Sequence, residues 1–398
     1  MRYAIEPLHV GHYPARQYPA GAYDGTRFVY VFGGLSINPV GGVLFLDDLV
    51  QVDSLTGNFT CPALTSSPSG RHSSAMTFHD GQLYLFGGSS ISALNDMWTW
   101  SPSSDTWSRL TLHICPSPRS GHSAVREGSN WFVFGGATDT RFERDLWVFR
   151  LDLGGWECLF SDLESPLTHR STSGFNSRAP SGRKAAGVAV RNRKLYVVGG
   201  EGSCGLNGEV WLFDMASSVW TLLGTGPAVQ GCHLSLHGEL LLCFGGTGPD
   251  LEPLTTIREF NLTTRHWTQT VLEGLSLHNF SLFPEVPGEW VTIKGSTREG
   301  ENTSLMHRLR WNPQCEPDMI TTLGADTDTA GHQLISGGGA PDRPRRMSAV
   351  NQPVTDLEVP TPTKGRSRRR RSKSKEPTDE RRKWRTVLGW LRVFDMRN

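Results

Sequence analysis

Five times along the chain a run of β-forming residues ends in a glycine pair, and this recurrence limits the fold more tightly than any other feature. The runs are Phe28–Phe32 before Gly33-Gly34, Leu83–Phe86 before Gly87-Gly88, Trp131–Phe134 before Gly135-Gly136, Leu195–Val198 before Gly199-Gly200, and Leu241–Phe244 before Gly245-Gly246. A worn sixth copy is Trp290–Lys294 before Gly295-Ser296. Such runs are too apolar for a half-exposed strand, so each predicts one buried on both faces. The glycines end it where φ turns positive or where backbones crowd. First glycines are spaced by 54, 48, 64 and 46 residues, with 50 more to Gly295. A self-similar period of about 50 residues means stacked supersecondary units.

Each copy has a second half. Asp48–Asp53, Asp96–Trp100, Asp145–Phe149, Glu209–Asp214 and Ile257–Asn261 follow the glycines, and a lone aromatic comes next at Phe59, Trp107, Trp156, Trp220 and Trp267. Trp98, Trp147 and Trp211 stand nine residues before Trp107, Trp156 and Trp220, the length of a strand, a tight turn and a new strand's start. Alternating segments upstream, such as His72–Phe78 and His122–Val125, complete four short antiparallel strands per repeat, the makings of a propeller blade. Glycine doublet, aromatic-rich strand and spaced tryptophan together resemble the kelch repeat, over roughly Met1 to Pro313. The resemblance implies an all-β, six-bladed kelch-type β-propeller across residues 1–313, of the kind that carries no BTB or F-box domain.

The N-terminus is expected to close the ring. Tyr3 stands eleven residues before Pro14, as Trp107 stands eleven before Pro118, so Tyr3–Leu8 reads as the outer strand of a blade whose other strands lie elsewhere. The sixth copy offers three strands, Leu277–Phe283, Trp290–Lys294 and Leu305–Trp311, and lacks the fourth. Pairing the two ends removes an exposed edge. Insertions at Leu35–Phe45 and Ser161–Ser181 lengthen loops, where binding specificity tends to sit.

The net charge of +1 conceals a split, −9 through Ala340 and +10 from Pro341 onward. Seven cysteines without a short-range pairing pattern read as buried free thiols in a reducing compartment. Met1–Ala20 has no apolar core of signal-peptide length, and no stretch approaches the roughly 18 apolar residues of a membrane span. The sequons at Asn58, Asn261, Asn279 and Asn302 are therefore expected to be unused. A monomer in the cytoplasm is expected, with the nucleus as the alternative location. Residues 314–380, poor in aromatics and rich in Gly, Pro, Thr and charge, are expected to be disordered. Within them Lys364, Arg366, Arg368, Arg369, Arg370, Arg371, Lys373 and Lys375 form a run suited to an import receptor, RNA or an anionic membrane. Ser367, Ser372 and Ser374 would let phosphorylation switch its charge. In residues 381–398, Trp384, Val387, Leu388, Leu391 and Phe394 fall at helical spacing over a basic face, which predicts a short amphipathic helix for a membrane or a partner's groove.

No local motif announces chemistry. Cys-x-x-Cys, His-Glu-x-x-His and a P-loop are missing, and the Glu-x-x-x-Asp-x-x-x-His set of iron-dependent nitrile-specifier kelch proteins has no counterpart. His72 and His122 are read as packing elements at matching starts of inner strands, and Cys204 and Cys243 as small core residues. No catalytic residue, metal ligand or cofactor is assigned. What repeats is arginine: Arg71, Arg119 and Arg183 lie sixteen residues before their first glycine, and Arg16 lies seventeen before Gly33. The fifth and sixth repeats carry Val229-Gln230 and Ser276-Leu277 near this register. The loop before each inner strand should gather the four guanidiniums at one rim of a central channel. In kelch domains that bind peptides this loop and the one after the glycines form the binding face. By resemblance, Ser89, Ser90, Asn95, Asp139, Arg141 and Glu201 would join it. A guanidinium fork pairs bidentately with a carboxylate, so the partner would be acidic or carboxylate-bearing. The competing reading makes these arginines braces between neighbouring loops. The expected function is a non-enzymatic adaptor whose propeller holds a partner protein while the tail sets location. The alternatives are a ubiquitin-ligase substrate receptor and a propeller enzyme acting on a small sugar-like metabolite.

Overall fold

The computed structural model describes residues 3–8, 16–37, 42–64, 66–161, 179–250, 252–271, 280–286, 289–294, 306–311 and 321–323. These all fall within one compact unit. The insertion Ser161–Ser181, the basic run and the C-terminal helix expected from the sequence lie almost wholly or entirely outside the described residues.

The described residues build six antiparallel sheets of four or five strands, numbered here along the chain; within each, four strands lie in meander order, with the chain's first strand supplying the fourth of sheet 6. Sheet 1 consists of Ala20–Tyr23, Phe28–Phe32, Leu49–Asp53 and Phe59–Thr60, and sheet 2 of Ala75–His79, Gln82–Phe86, Met97–Ser101 and Thr106–Leu110. Sheet 3 is Ser123–Glu127, Asn130–Phe134, Leu146–Arg150 and Gly155–Phe160; sheet 4 is Gly187–Arg191, Lys194–Val198, Glu209–Asp214 and Val219–Thr225. Sheet 5 runs His233–His237, Leu240–Phe244, Thr256–Asn261 and Trp267–Val271. Sheet 6 is Phe280–Val286, Glu289–Lys294 and Met306–Trp311, with Tyr3–Leu8 as its outer strand. That last pairing runs from Tyr3 opposite Trp311 to Leu8 opposite Met306, so the first strand of the chain completes the last sheet as its spacing predicts. The inner strands of sheets 6, 1, 2, 3, 4 and 5 lie side by side in that order. One expectation fails here. Thr321–Leu323, inside the stretch read as disordered, adds a fifth strand to sheet 5 against Trp267–Gln269. Two threonines and a leucine suit a pleated edge, and they cover open backbone groups of the outer strand.

Aromatic side chains join one sheet to the next. The phenylalanine before each of the first three glycine pairs meets the outer-strand tryptophan of the following sheet: Phe32 with Trp107 at 5.2 Å between ring centroids, Phe86 with Trp156 at 4.8 Å, Phe134 with Trp220 at 5.5 Å. Between sheets 4 and 5 the smaller Val198 shares a core with Trp267. Edge-to-face contacts of this kind add about 0.5–1.5 kcal/mol beyond area burial.

The glycine pair is the socket for the next repeat. Gly33 and Gly34 both have positive φ, and a Cβ on Gly33 would lie 2.5 Å from the carbonyl oxygen of Arg71. Gly34 N–H donates to that same oxygen at 2.8 Å. Gly88 and Gly136 repeat the bond to Arg119 and Arg183, both at 2.9 Å. Both reasons for glycine, positive φ and crowded backbone, operate at once.

Candidate functional site

The four recurring arginines do not line a rim. Arg16, Arg71, Arg119 and Arg183 are at most 1% exposed. Arg119 Nη1 and Nη2 donate to the two carboxylate oxygens of Asp145 at 2.7 and 2.8 Å, and Nη1 also donates to the Gly135 carbonyl at 2.9 Å. Its Nε reaches the Ser117 carbonyl and its Nη2 the Ser117 hydroxyl, so all five N–H donors are used inside the chain. Arg71 repeats the set with Asp96, Gly87 and Ser69. Arg183 makes four of these bonds, a single one to Glu209 and the rest to Gly199 and Ser181, and Arg16 donates to both oxygens of Asp48 and to the Gly33 carbonyl. The indole N–H groups of Trp98, Trp147 and Trp211 donate to the same carboxylates. Burial works to raise the Asp96 and Glu209 carboxyls, yet the guanidinium and indole donors hold both below their ordinary values. The expectation of a guanidinium rim is thereby corrected: the register that places arginine before an inner strand also places an acid at the head of the same repeat's third strand.

Above these buried pairs lies the loop face itself. Ser73 N–H donates to the Tyr18 carbonyl, Gly121 to Ser73, Ala185 to Gly121 and Gly231 to Ala185, at 2.7–2.9 Å. All five residues have φ between 51° and 66°. This hoop of left-handed residues ties the loops of sheets 1 to 5 together, and three of its members, Tyr18, Ser73 and Ala185, are not glycine. Strain of this sort persists only where the surroundings fix it, and it collects at functional surfaces.

Side chains unforeseen from the sequence surround the hoop. Phe45 stacks on His72 at 5.6 Å, Tyr18 leans on His72 at 6.5 Å, and the Lys184 ammonium sits 5.9 Å from the Phe142 ring centroid. Tyr18 is 37% exposed, and partial desolvation, then the charge of Glu201 from the fourth repeat, raises its hydroxyl pKa. Of the residues carried over by resemblance, Ser89 is bridged to His72, and Ser90 is half-buried beside it. Asp139 accepts from Ala93 N–H at 2.9 Å, the exposed Arg141 donates to Glu143, and Glu201 pairs with Lys184 through backbone. Asn95 is turned away: its amide donates to Cys115 Sγ and the Pro116 carbonyl, at a peripheral cavity of about 370 Å³ that Asp96, Arg109 and Leu112 also line.

Three lesser readings change. His72 follows Arg71 directly, whereas His122 comes three residues after Arg119, so the two histidines are not equivalent. His72 lies on the loop face; His122 is buried against Phe86, neither ring nitrogen finds a partner of good geometry among the described residues, and burial with the Arg119 charge pushes its pKa down to about 3. The thiols are free, but Cys61, Cys158 and Cys204 are exposed, and only Cys232 and Cys243 are buried among those described.

Repeated four-stranded meanders with adjoining inner strands define a β-propeller. The comparisons with known proteins give the family. The KLHDC2/KLHL20/DRC7 Kelch-repeats domain matches residues 6–175, and a Kelch motif matches residues 182–227. The chain is a kelch-repeat protein. It is similar to tip elongation aberrant protein 3 of Schizosaccharomyces pombe, 24% identical over 51% of this chain and 20% of that protein. It is also similar to human kelch domain-containing protein 2, 26% identical over 44% of each, and to the Drosophila melanogaster leucine-zipper-like transcriptional regulator 1 homolog, 24% identical over 54% of this chain and 22% of that one. The chain thus spans less than half the length of these relatives. Kelch repeats imply a protein-interaction function.

Proposed function

We propose that the loop face around the hoop captures an extended segment of a partner protein, making the chain an adaptor. The observation that carries this reading is exposed apolar surface on rigidly tied loops. Tyr18, Val43, Leu44 and Ile91 are 37%, 52%, 58% and 86% exposed, and they rise from the loops of the first two repeats. Apolar anchors held in place cost little entropy on binding, and such groups carry most interface energy. Around them stand charges of both signs, Arg141 and Lys184 against Asp139 and Glu201. An acidic preference resting on the arginine row loses its basis, since those guanidiniums are already satisfied within the chain.

The test is affinity capture with a Tyr18→Ala/Ile91→Asp double variant and a control, Leu153→Asp, at an exposed turn between outer strands of sheet 3. The partner should be lost with the first and kept with the second, at equal melting temperatures. Loss with both, or with neither, contradicts the reading. Recovery of a cullin-ligase adaptor by the full chain would favour a substrate receptor instead. The run from Lys364 to Lys375 is read as the localisation element. A fluorescent fusion of residues 360–398 should concentrate in the nucleus or on an anionic membrane, and replacing Arg368–Arg371 with alanine should disperse it.

A further inference from the structure

Sheet 5 lacks the arginine brace. Where repeats 2 to 4 place arginine, acid and tryptophan, it has Val229, Thr256 and Arg258. Val229 keeps the backbone role, since its carbonyl accepts from Gly200, and Thr256 occupies the acid's place, since its carbonyl accepts from Gly245. Arg258 is therefore a buried guanidinium in a tryptophan's position. It is 8% exposed, and its Nε and Nη1 have no hydrogen-bond partner among the described residues, nor has Thr256 Oγ1. Its cross-strand neighbour is Cys243, which shares the core between sheets 4 and 5 with Cys232. Leu234, two residues after Cys232, lies opposite Cys243, so the two thiols enter this one core from adjacent strands.

From this cluster we infer that Cys232 and Cys243 form a peroxide-sensitive thiol pair, with Arg258 as the counter-charge of a Cys232 thiolate. A buried guanidinium needs a compensating charge, and a neighbouring thiolate supplies it where no carboxylate is present. The directions of titration agree: the Cys243 S–H donor, with Arg258, lowers the Cys232 thiol against the effect of burial, while Cys243 is held well above its ordinary value. Cys232 is the attacking sulfur and Cys243 the resolving one. Access is short, because Cys232 directly follows Gly231, an exposed member of the hoop. A molecule as small as hydrogen peroxide passes where protein reagents do not.

The Cys232 thiolate attacks one peroxide oxygen; the S–O bond forms, the O–O bond breaks, and hydroxide leaves, so sulfur is oxidised to the sulfenic acid as peroxide is reduced. The Cys243 sulfur then displaces the sulfenic oxygen as water, losing its own proton and closing the disulfide. Two thiols and one peroxide give one disulfide and two waters.

The experiment uses the full chain with the exposed Cys61, Cys158 and Cys204 changed to serine. After hydrogen peroxide, peptide mapping should show Cys232 linked to Cys243. In C243S the sulfenic acid should persist and be trapped on Cys232 by dimedone. R258Q should slow oxidation by roughly threefold for each pKa unit the thiol regains, because thiolate fraction falls tenfold while nucleophilicity partly recovers. R258K, which keeps the charge, should stay near the parent rate. The inference is overturned if both thiols remain alkylatable after denaturation at peroxide doses that oxidise the exposed cysteines of the unaltered chain. It is equally overturned if C243S gives no adduct, or if folded R258Q reacts as fast as its parent. If R258Q does not fold, the linked peptide and the C243S adduct still decide.

Discussion

Sheets 2 to 4 and sheet 5 solve one problem with two chemistries. In each, a loop of one repeat must dock on the glycine pair of the repeat before it. Sheets 2 to 4 fix that loop with a buried guanidinium paired to an acid of the same repeat, and at Arg71 and Arg119 all five donors find acceptors within the chain. Sheet 5 places Val229 there, packs it in the core against Gly200's repeat, and keeps the backbone bond alone. The difference teaches that the socket needs the carbonyl and the glycines, while the side chain above them is a separate choice. An ion pair fixes geometry with directional bonds, whereas an apolar residue fills the space without a desolvation cost.

The largest expected effect comes from breaking a brace on one side only. Asp145→Ala leaves Arg119 buried without its carboxylate and should cost about 3 kcal/mol or more, read from denaturant midpoints. Thr256→Ala, at the same place in sheet 5, should change stability by less than about 1 kcal/mol. Equal losses at the two sites would erase the distinction.

Transplanting the brace sharpens it. V229R alone buries an uncompensated charge and should destabilise by about 3 kcal/mol. The triple change V229R/T256D/R258W supplies acid and indole together and should return within about 1 kcal/mol of the parent. A triple no better than V229R would show that the sheet 5 backbone cannot seat the ion pair.

Next in size is an effect of pH. His122 occupies the place that Ala186 holds in the following repeat, and burial pushes its pKa down to about 3. The native state binds the neutral ring, so this stability is fully present above the unfolded pKa of about 6.5 and is lost progressively as pH falls from there toward 3. Near pH 4.5 the loss should be on the order of 2 kcal/mol. His122→Ala should flatten the stability curve between about pH 6.5 and 4.5, above the range near their unfolded values of about 3.9 and 4.3 where protonation of Asp96 and Glu209, both depressed in the fold, begins to add its own loss. The smallest effect belongs to the exposed Arg141, paired with Glu143. Arg141→Ala should cost under about 1 kcal/mol, since water screens such pairs.

Most of the fold was legible because repetition averages out local ambiguity. Five glycine pairs with spaced tryptophans predict the strands, and the Tyr3-to-Pro14 spacing predicts the partner of Met306–Trp311. The site was harder to read. Arginine stands sixteen or seventeen residues before its glycine, but its acid lies fifteen residues beyond the glycine in the first repeat and nine or ten in the next three, because a loop of variable length intervenes. A partner at variable spacing is invisible to a register argument, and an unpartnered arginine reads as exposed. Counting from the arginine rather than from the strand would have separated His72 from His122. Exposure of Cys204 depends on a two-residue hairpin turn after Gly202, which no periodicity reports.

The central claim is that Arg71, Arg119 and Arg183 brace the propeller and that the residues around the hoop above them meet the partner. Its most direct test is Arg119→Lys, assayed for melting temperature and partner capture together. Lysine keeps the charge but cannot fill five fixed acceptors. The account predicts a lower melting temperature with capture retained below it. Capture lost at an unchanged melting temperature would contradict the account and return the guanidinium to the binding face.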